Sequence, residues 1–306
     1  MRDVSGLDAG ACVGPAQVAT AGWVRSQFAA VFQRLFECRG GLLRRPPTVS
    51  VFRPLLLAAL CTVLVLLAIP APAAAAGTPH TLPKKFRHSP YTLMSLSVGY
   101  PNDGWQRRAK KLRRHRYLHI KSSSRDNCYG HPALVLMLER SARDIARVVH
   151  GSVMVVGDLS KKHGGRLYGH HSHQSGRDAD VAFYMRDKDG KLYVPDHFVA
   201  FDGEGKAKDK SGLVFDDYRN WLLLQDWVRD KRAGLAHVFI STPLKLRLIR
   251  YARRHKSFRR YVDDALKLLE QPEHAEIHDD HFHVRISCPH HQDEICHEES
   301  RPRHYR

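Results

Sequence analysis

Residues 169–185 read GHHSHQSGRDADVAFYM. The first twelve positions hold three histidines and two aspartates around Gly and Ser, and the last five read as a short apolar strand. A polar loop therefore runs straight into a strand. Alternate residues of a strand share a face, so Asp178 and Asp180 lie on one side, while Val181 and Phe183 take the other and pack inward. His173 stands seven positions before Asp180, a separation wrong for a helix pair. A loop turning at Gly176 can fold it back towards Asp180.

A second cluster, HDDHFHVRISCP (278–289), follows about a hundred residues later. His281 and His283 again alternate on a strand, and Phe282 and Val284 face the opposite way. Two such rings can meet one metal, or one can bind while its neighbour handles protons. A catalytic zinc needs three protein ligands and one open position. His173, Asp180 and His283 supply two imidazoles and a carboxylate, and His281 is the candidate base. No cysteine is needed, which suits an oxidising compartment. His170, His171, His274, His290 and His291 read by themselves as solvated surface residues. HAEIH (274–278) spaces two histidines one helical turn apart but lacks the glutamate that a zincin carries after its first histidine.

Around these clusters, helical and strand patterns alternate irregularly. HPALVLMLERSARDIARVVH (131–150) places Leu134, Leu138, Ile145 and Val149 on one helical face. VMVVG (153–157), HVFIS (237–241) and HFHVRIS (281–287) read as strands. RDKDGKLYV (186–194) carries a hairpin signal, and 202–212 reads as a flexible charged loop. Helices are expected over 215–230 with Asp216 as cap, from Thr242-Pro243 onward, and over 259–272. The class is α+β, with a mostly antiparallel sheet flanked by helices.

The 306-residue chain carries a net charge of +18, about +14 of it beyond Gly77. Such a surface favours polyanionic surroundings. The run RRAKKLRRHR (107–116) has no interleaved aromatic pair, and reads as a solvated helical face rather than a nucleic-acid site. Leu55 to Ile69 is almost wholly apolar, follows basic residues and precedes Ala74-Ala75-Ala76. That pattern reads as a cleaved signal peptide, with a membrane tether as the alternative, and implies an exported, periplasmic protein. Residues 1–76 form this leader, 77–90 a linker, 91–298 the folded domain and 299–306 a polar tail. Cys12, Cys38 and Cys61 fall in the leader. Cys288 and Cys296 flank a short segment and can close a local loop, which leaves Cys128 over.

SHQSGRDADVAFY and HDDHFHVRISCP together resemble the penicillin-insensitive murein endopeptidase family, within the lysostaphin, D-Ala-D-Ala carboxypeptidase and hedgehog-like group of zinc peptidases. That group's pattern is His-x6-Asp then His-x-His. The similarity runs from about Ser95 to Cys296 and includes SLSVGYPNDG (95–104) and YGHP (129–132). The resemblance implies a hedgehog/D,D-peptidase-like fold and a zinc enzyme that cuts D-alanyl–meso-diaminopimelate cross-links of peptidoglycan. It makes His173, Asp180 and His283 the zinc ligands and His281 the general base, with His170 and His278 lining the site. Gln174 and Asp178 read as supports that orient the ligands, and Arg285 as a holder of a peptide carboxylate. The Cys288–Cys296 pair transfers. An inter-subunit second metal site in 186–212 does not, so a homodimer is left open without support. A D,D-carboxypeptidase of the same fold and a non-catalytic wall-binding module are the competing functions.

Overall fold

The computed structural model describes residues 81–272 and 277–301. The apolar segment 55–69, the Ala74–Gly77 context, Cys12, Cys38, Cys61 and His274 lie outside them. Among the described residues no helix is long and apolar enough to cross a membrane.

Six strands form the central sheet: β1 (Leu118–Ile120), β2 (Met154–Val156), β3 (Asp178–Ala182), β4 (Leu235–Phe239), β5 (Leu269–Glu270) and β6 (His281–Ile286). Their spatial order is β5-β4-β6-β3-β2-β1. The α+β class stands, but the expected mostly antiparallel sheet is mixed. The inner pairs β4–β6, β6–β3 and β3–β2 are antiparallel, whereas the edge pairs β5–β4 and β2–β1 are parallel. Connectivity explains the difference. Helix α1 (Pro132–Val148) runs between β1 and β2, and α3 (Thr242–Arg254) and α4 (Val262–Leu268) run between β4 and β5. A helical crossover of this kind returns the chain in the same direction. Helix α2 (Asp217–Arg229) lies between β3 and β4.

The helices begin where their chemistry directs. The His131 ring accepts a hydrogen bond from the Ala133 N–H, with Pro132 in the first turn of α1. Asp216 caps α2 by accepting from the Arg219 N–H. Helix α3 starts at Thr242-Pro243 with Ser241 as the cap residue. All three put apolar stripes on one sheet face: Leu134, Leu138 and Ile145 from α1, Trp221, Leu224 and Trp227 from α2, and Leu244 and Leu248 from α3. They meet Val181, Val238, Phe282 and Val284. Phe282 stands edge-on to Phe183 at 4.7 Å and to Trp227 at 5.5 Å. Burying one such ring contributes about 2–3 kcal/mol. With that face committed to the core, alternation turns Asp178, Asp180, His281, His283 and Arg285 to the other.

Several boundaries differ from the sequence reading. The strand expected over 181–185 starts earlier, at Asp178, and stops at Ala182 because Asn220 on α2 takes both the N–H and the carbonyl of Tyr184. Met185–Arg186 pairs instead with Leu192–Tyr193 and Val214–Phe215. The helix expected to Pro272 ends at Leu268, since Leu269 is buried and the Glu270 carbonyl accepts from Ile240. The basic run 107–116 is not helical: it has one large apolar residue, Leu112, and no stripe to bury. Lys110–Lys111 form a short ladder with Tyr129–Gly130, and Arg113, Arg114 and Arg116 are exposed.

The stretch read as a linker is packed from Leu82 onward. Leu82 and Phe86 bury against Leu96, Val98 and Ile295. The loop 202–212 is tied down by the Asp202 carboxylate, which accepts from the N–H groups of Glu204 and Lys206. After β6 the chain is irregular but fixed. Cys288 and Cys296 form a disulfide, Cys128 is free and buried, and buried Arg177 holds Glu298 at 2.9 Å.

Candidate metal centre

The β3–β6 ladder sets the site. His283 is the register partner of Asp180, His281 of Ala182 and Arg285 of Asp178. His173 arrives from the preceding loop with a left-handed backbone, φ 65°, followed by Gly176 at φ 80°. A Cβ at Gly176 would lie 1.9 Å from Gln106 Oε1, so any side chain there must displace buried Gln106 as well as adopt the left-handed backbone. The left-handed residue costs roughly 1 kcal/mol and is held by two short bonds. The Ser160 hydroxyl donates to the His173 carbonyl at 2.5 Å, and His173 Nδ1–H donates to the Leu159 carbonyl at 2.6 Å. That second bond fixes the tautomer and leaves the Nε2 lone pair aimed at Asp180.

Three imidazole nitrogens converge on one carboxylate oxygen. Asp180 Oδ1 is 3.2 Å from His173 Nε2, 3.3 Å from His281 Nε2 and 3.8 Å from His283 Nδ1. The other oxygen, Oδ2, is 3.7 Å from His170 Nδ1. Asp178 lies beneath: its Oδ1 accepts from His283 Nε2–H at 2.9 Å and from Arg285 Nε–H at 2.6 Å. The first bond turns His283 Nδ1 towards Asp180. Asp280 accepts from His281 Nδ1–H at 2.6 Å, and Phe198 stacks on the His281 ring at 4.6 Å. His278 stands 5.4 Å from the His281 ring and 5.5 Å from that of His283.

The electrostatics follow from this packing. Burial opposes charge on Asp178, yet Arg285 and His283 outweigh it and hold its carboxyl well below the usual range. Asp180 behaves likewise, with His173 and His281 as the opposing groups. Burial keeps the His283 ring neutral, pushed down to about 3. His281 is also buried, but Asp180 and Asp280 raise it to about 10. The site is built to receive positive charge beside Asp180.

The donor set fits a metal ion. His173 Nε2 and Asp180 Oδ1 are buried and neither makes a hydrogen bond. Such orphaned atoms are costly unless something binds them. His170, His173 and Asp180 each offer one atom within 4.8 Å of the others. Two ligand sets therefore share His173 and Asp180, and differ in whether His283 or His170 is third. His283 is buried and aimed by Asp178, whereas His170 is half-buried and its Nε2 contacts Asp158 at 3.0 Å.

The structure thus gathers His170, His173, Asp178, Asp180, His278, His281, His283 and Arg285 into one place. Gln174 acts on the loop through its backbone, donating to Pro101 and accepting from Gly165. It lines a neighbouring cleft of about 540 Å³ with His170, Arg166 and Arg301. Sequence reasoning missed Asp158, Phe198 and Phe239, whose ring meets His283 at 5.0 Å. No local pattern marks them. Asp280 was legible only as a neighbour of His281.

An imidazole cluster around one buried carboxylate, on the open face of an α+β sheet, defines the class as a candidate metalloenzyme. Residues 97–305 match the family described as penicillin-insensitive murein endopeptidase, peptidase M74, and the chain belongs to that family. It is 30% identical over 178 residues to the penicillin-insensitive murein endopeptidase of Haemophilus influenzae, covering 54% of each chain. It is 26% identical over 165 residues to the proteins of that name from two Escherichia coli strains, covering 53% of this chain and 54% of theirs. The chain thus matches about half the length of these relatives.

Proposed function

We propose that this protein is an exported zinc-dependent murein endopeptidase, hydrolysing D-alanyl–meso-diaminopimelate cross-links in a hedgehog/D,D-peptidase-like fold. The observation that carries the reading is the convergence of His173, His281 and His283 on Asp180 Oδ1. His173 through Nε2, Asp180 through its carboxylate and His283 through Nδ1 would hold the ion. Zinc, when bound, polarises a peptide carbonyl and acidifies water at its open position.

The chain's own groups supply the rest. With a cation on Asp180 cancelling the larger of the two pulls that raise it, His281 is free to take a proton at Nε2 and return it to the departing amine, while Asp280 holds Nδ1–H and Phe198 holds the ring plane. Asp178 fixes the orientation of His283 and compensates Arg285. With its Nε on Asp178 and its guanidinium 5.4 Å over the Phe239 ring, Arg285 is committed to the floor of the site. This weakens its reading as the holder of a peptide carboxylate. The family name and the relatives' names support peptidoglycan as the substrate.

The test is murein cleavage by purified protein with chelator, then with zinc restored. Activity should vanish and return. His281→Ala should keep zinc and lose at least about a hundredfold in kcat. Undiminished cleavage in chelator would end the zinc reading.

A further inference from the structure

The metal-site face of the sheet continues past His283. Asp180 pairs with His283, His283 with Phe239, and Phe239 with Glu270, one straight row across β3, β6, β4 and β5. Strands lie about 4.8 Å apart, so Glu270 sits about 14 Å from Asp180 along this floor. Phe239 meets the His283 ring edge-on at 5.0 Å, and His237 stacks on Phe239 at 5.5 Å, 8° from parallel. His237 Nδ1 in turn contacts Glu270 Oε1. An aromatic shelf, with buried Phe239 as its floor and part-open His237 as its outer end, therefore leads from the candidate metal to a carboxylate. Glu270 and His237 are both partly open to solvent, with side chains 46% and 37% exposed.

The charges along this shelf are unevenly matched. Arg285 is compensated by Asp178, and Lys245, on the helix beside β5, gives its ammonium to the Leu269 carbonyl. Glu270 meets an imidazole, which occupies one of its oxygens; a carboxylate has about four acceptor sites. We propose that Glu270, positioned by His237, is a subsite for a primary ammonium on the peptide bound along the shelf. The inference rests on the murein reading and deepens it. A diaminopimelyl side chain carries such an ammonium when it is not cross-linked. One residue of extended chain, about 3.5 Å, plus a long side chain spans roughly 10 Å from the reacting carbonyl. With the Glu270 side chain reaching inward, that closes the distance.

The experiment measures equilibrium binding of an uncross-linked murein tetrapeptide to the full zinc-loaded chain, with its diaminopimelyl amine free or acetylated. The wild type should bind the free amine at least fivefold more tightly. Glu270→Gln, an isosteric change at a half-buried position, should abolish that ratio by weakening only the free-amine peptide. Glu270→Lys should reverse it. A ratio unchanged in Glu270→Gln, or absent in the wild type, overturns the assignment. Cleavage of cross-linked murein is followed in the same preparations. An intact amine ratio without cleavage counts against the hydrolytic reading alone.

Discussion

Asp178 Oδ1 binds His283 Nε2 at 2.9 Å, and through that bond a residue outside the ligand set decides which ring nitrogen faces Asp180. The same oxygen neutralises buried Arg285. Asp178→Asn should lower zinc affinity by about 10–100-fold. It should also cost roughly 3 kcal/mol of stability, because a buried guanidinium loses its counter-charge. Chelator competition and urea unfolding measure the two effects separately. Wild-type zinc affinity in a folded Asp178→Asn protein would remove the orienting role.

Gly157 makes room for Phe198. A Cβ at position 157 would lie 2.4 Å from the Phe198 ring, which stacks on His281 and carries Lys121 Nζ 4.3 Å from its centroid. Gly157→Ala should push the ring away and free the His281 plane. Turnover should fall about tenfold or more while zinc content stays at one per chain. Loss of zinc in step with activity would point to a collapsed site instead.

His131 gives a pH test away from the metal. Burial, reinforced by Arg177, lowers its pKa to about 4. The folded state therefore keeps the ring neutral, while the unfolded chain protonates it below its ordinary pKa of about 6.5. The contribution is fully present above about pH 6.5 and is lost as pH falls towards 4. Its size is about 2 kcal/mol after discounting for partial exposure. His131→Asn keeps an acceptor for the Ala133 N–H and removes the titration. The variant-minus-wild-type stability should therefore rise between pH 7 and pH 4.5; a flat difference would show that the ring does not titrate in this window.

The Cys288–Cys296 bond closes a loop with a sequence separation of 8 just after β6. Cys288→Ser with Cys296→Ser should lower stability by about 2–3 kcal/mol, the entropy of so short a loop. Since the ladder holding His283 is complete before Cys288, murein cleavage at moderate temperature should survive. Loss of cleavage in the folded double variant would tie the tail to catalysis.

The strand-borne part of the site was legible because alternation is local: a period of two puts Asp178 with Asp180 and His281 with His283. The helix starts after the Asp216 cap and at Thr242-Pro243 were legible for the same reason, though the cap residue of the second is Ser241 and its side chain makes no capping bond. The parallel edges were not, since Leu269-Glu270 continues a helical pattern and leaves it only because β4 offers a free edge. Phe239, Phe198 and Asp158 reach the site by register and loop packing, which no spacing within the chain encodes. Within the stretch read as a linker, basic and proline-rich composition hid an apolar anchor at Phe86.

Anomalous diffraction at the zinc edge, from crystals of the zinc-loaded protein, reads the ligand set directly. One peak is expected per chain, about 2.0–2.2 Å from His173 Nε2, Asp180 and His283 Nδ1, with His281 beside it and not bound. A peak held by His170, His173 and Asp180 without His283, or no peak at this cluster, would contradict the assignment.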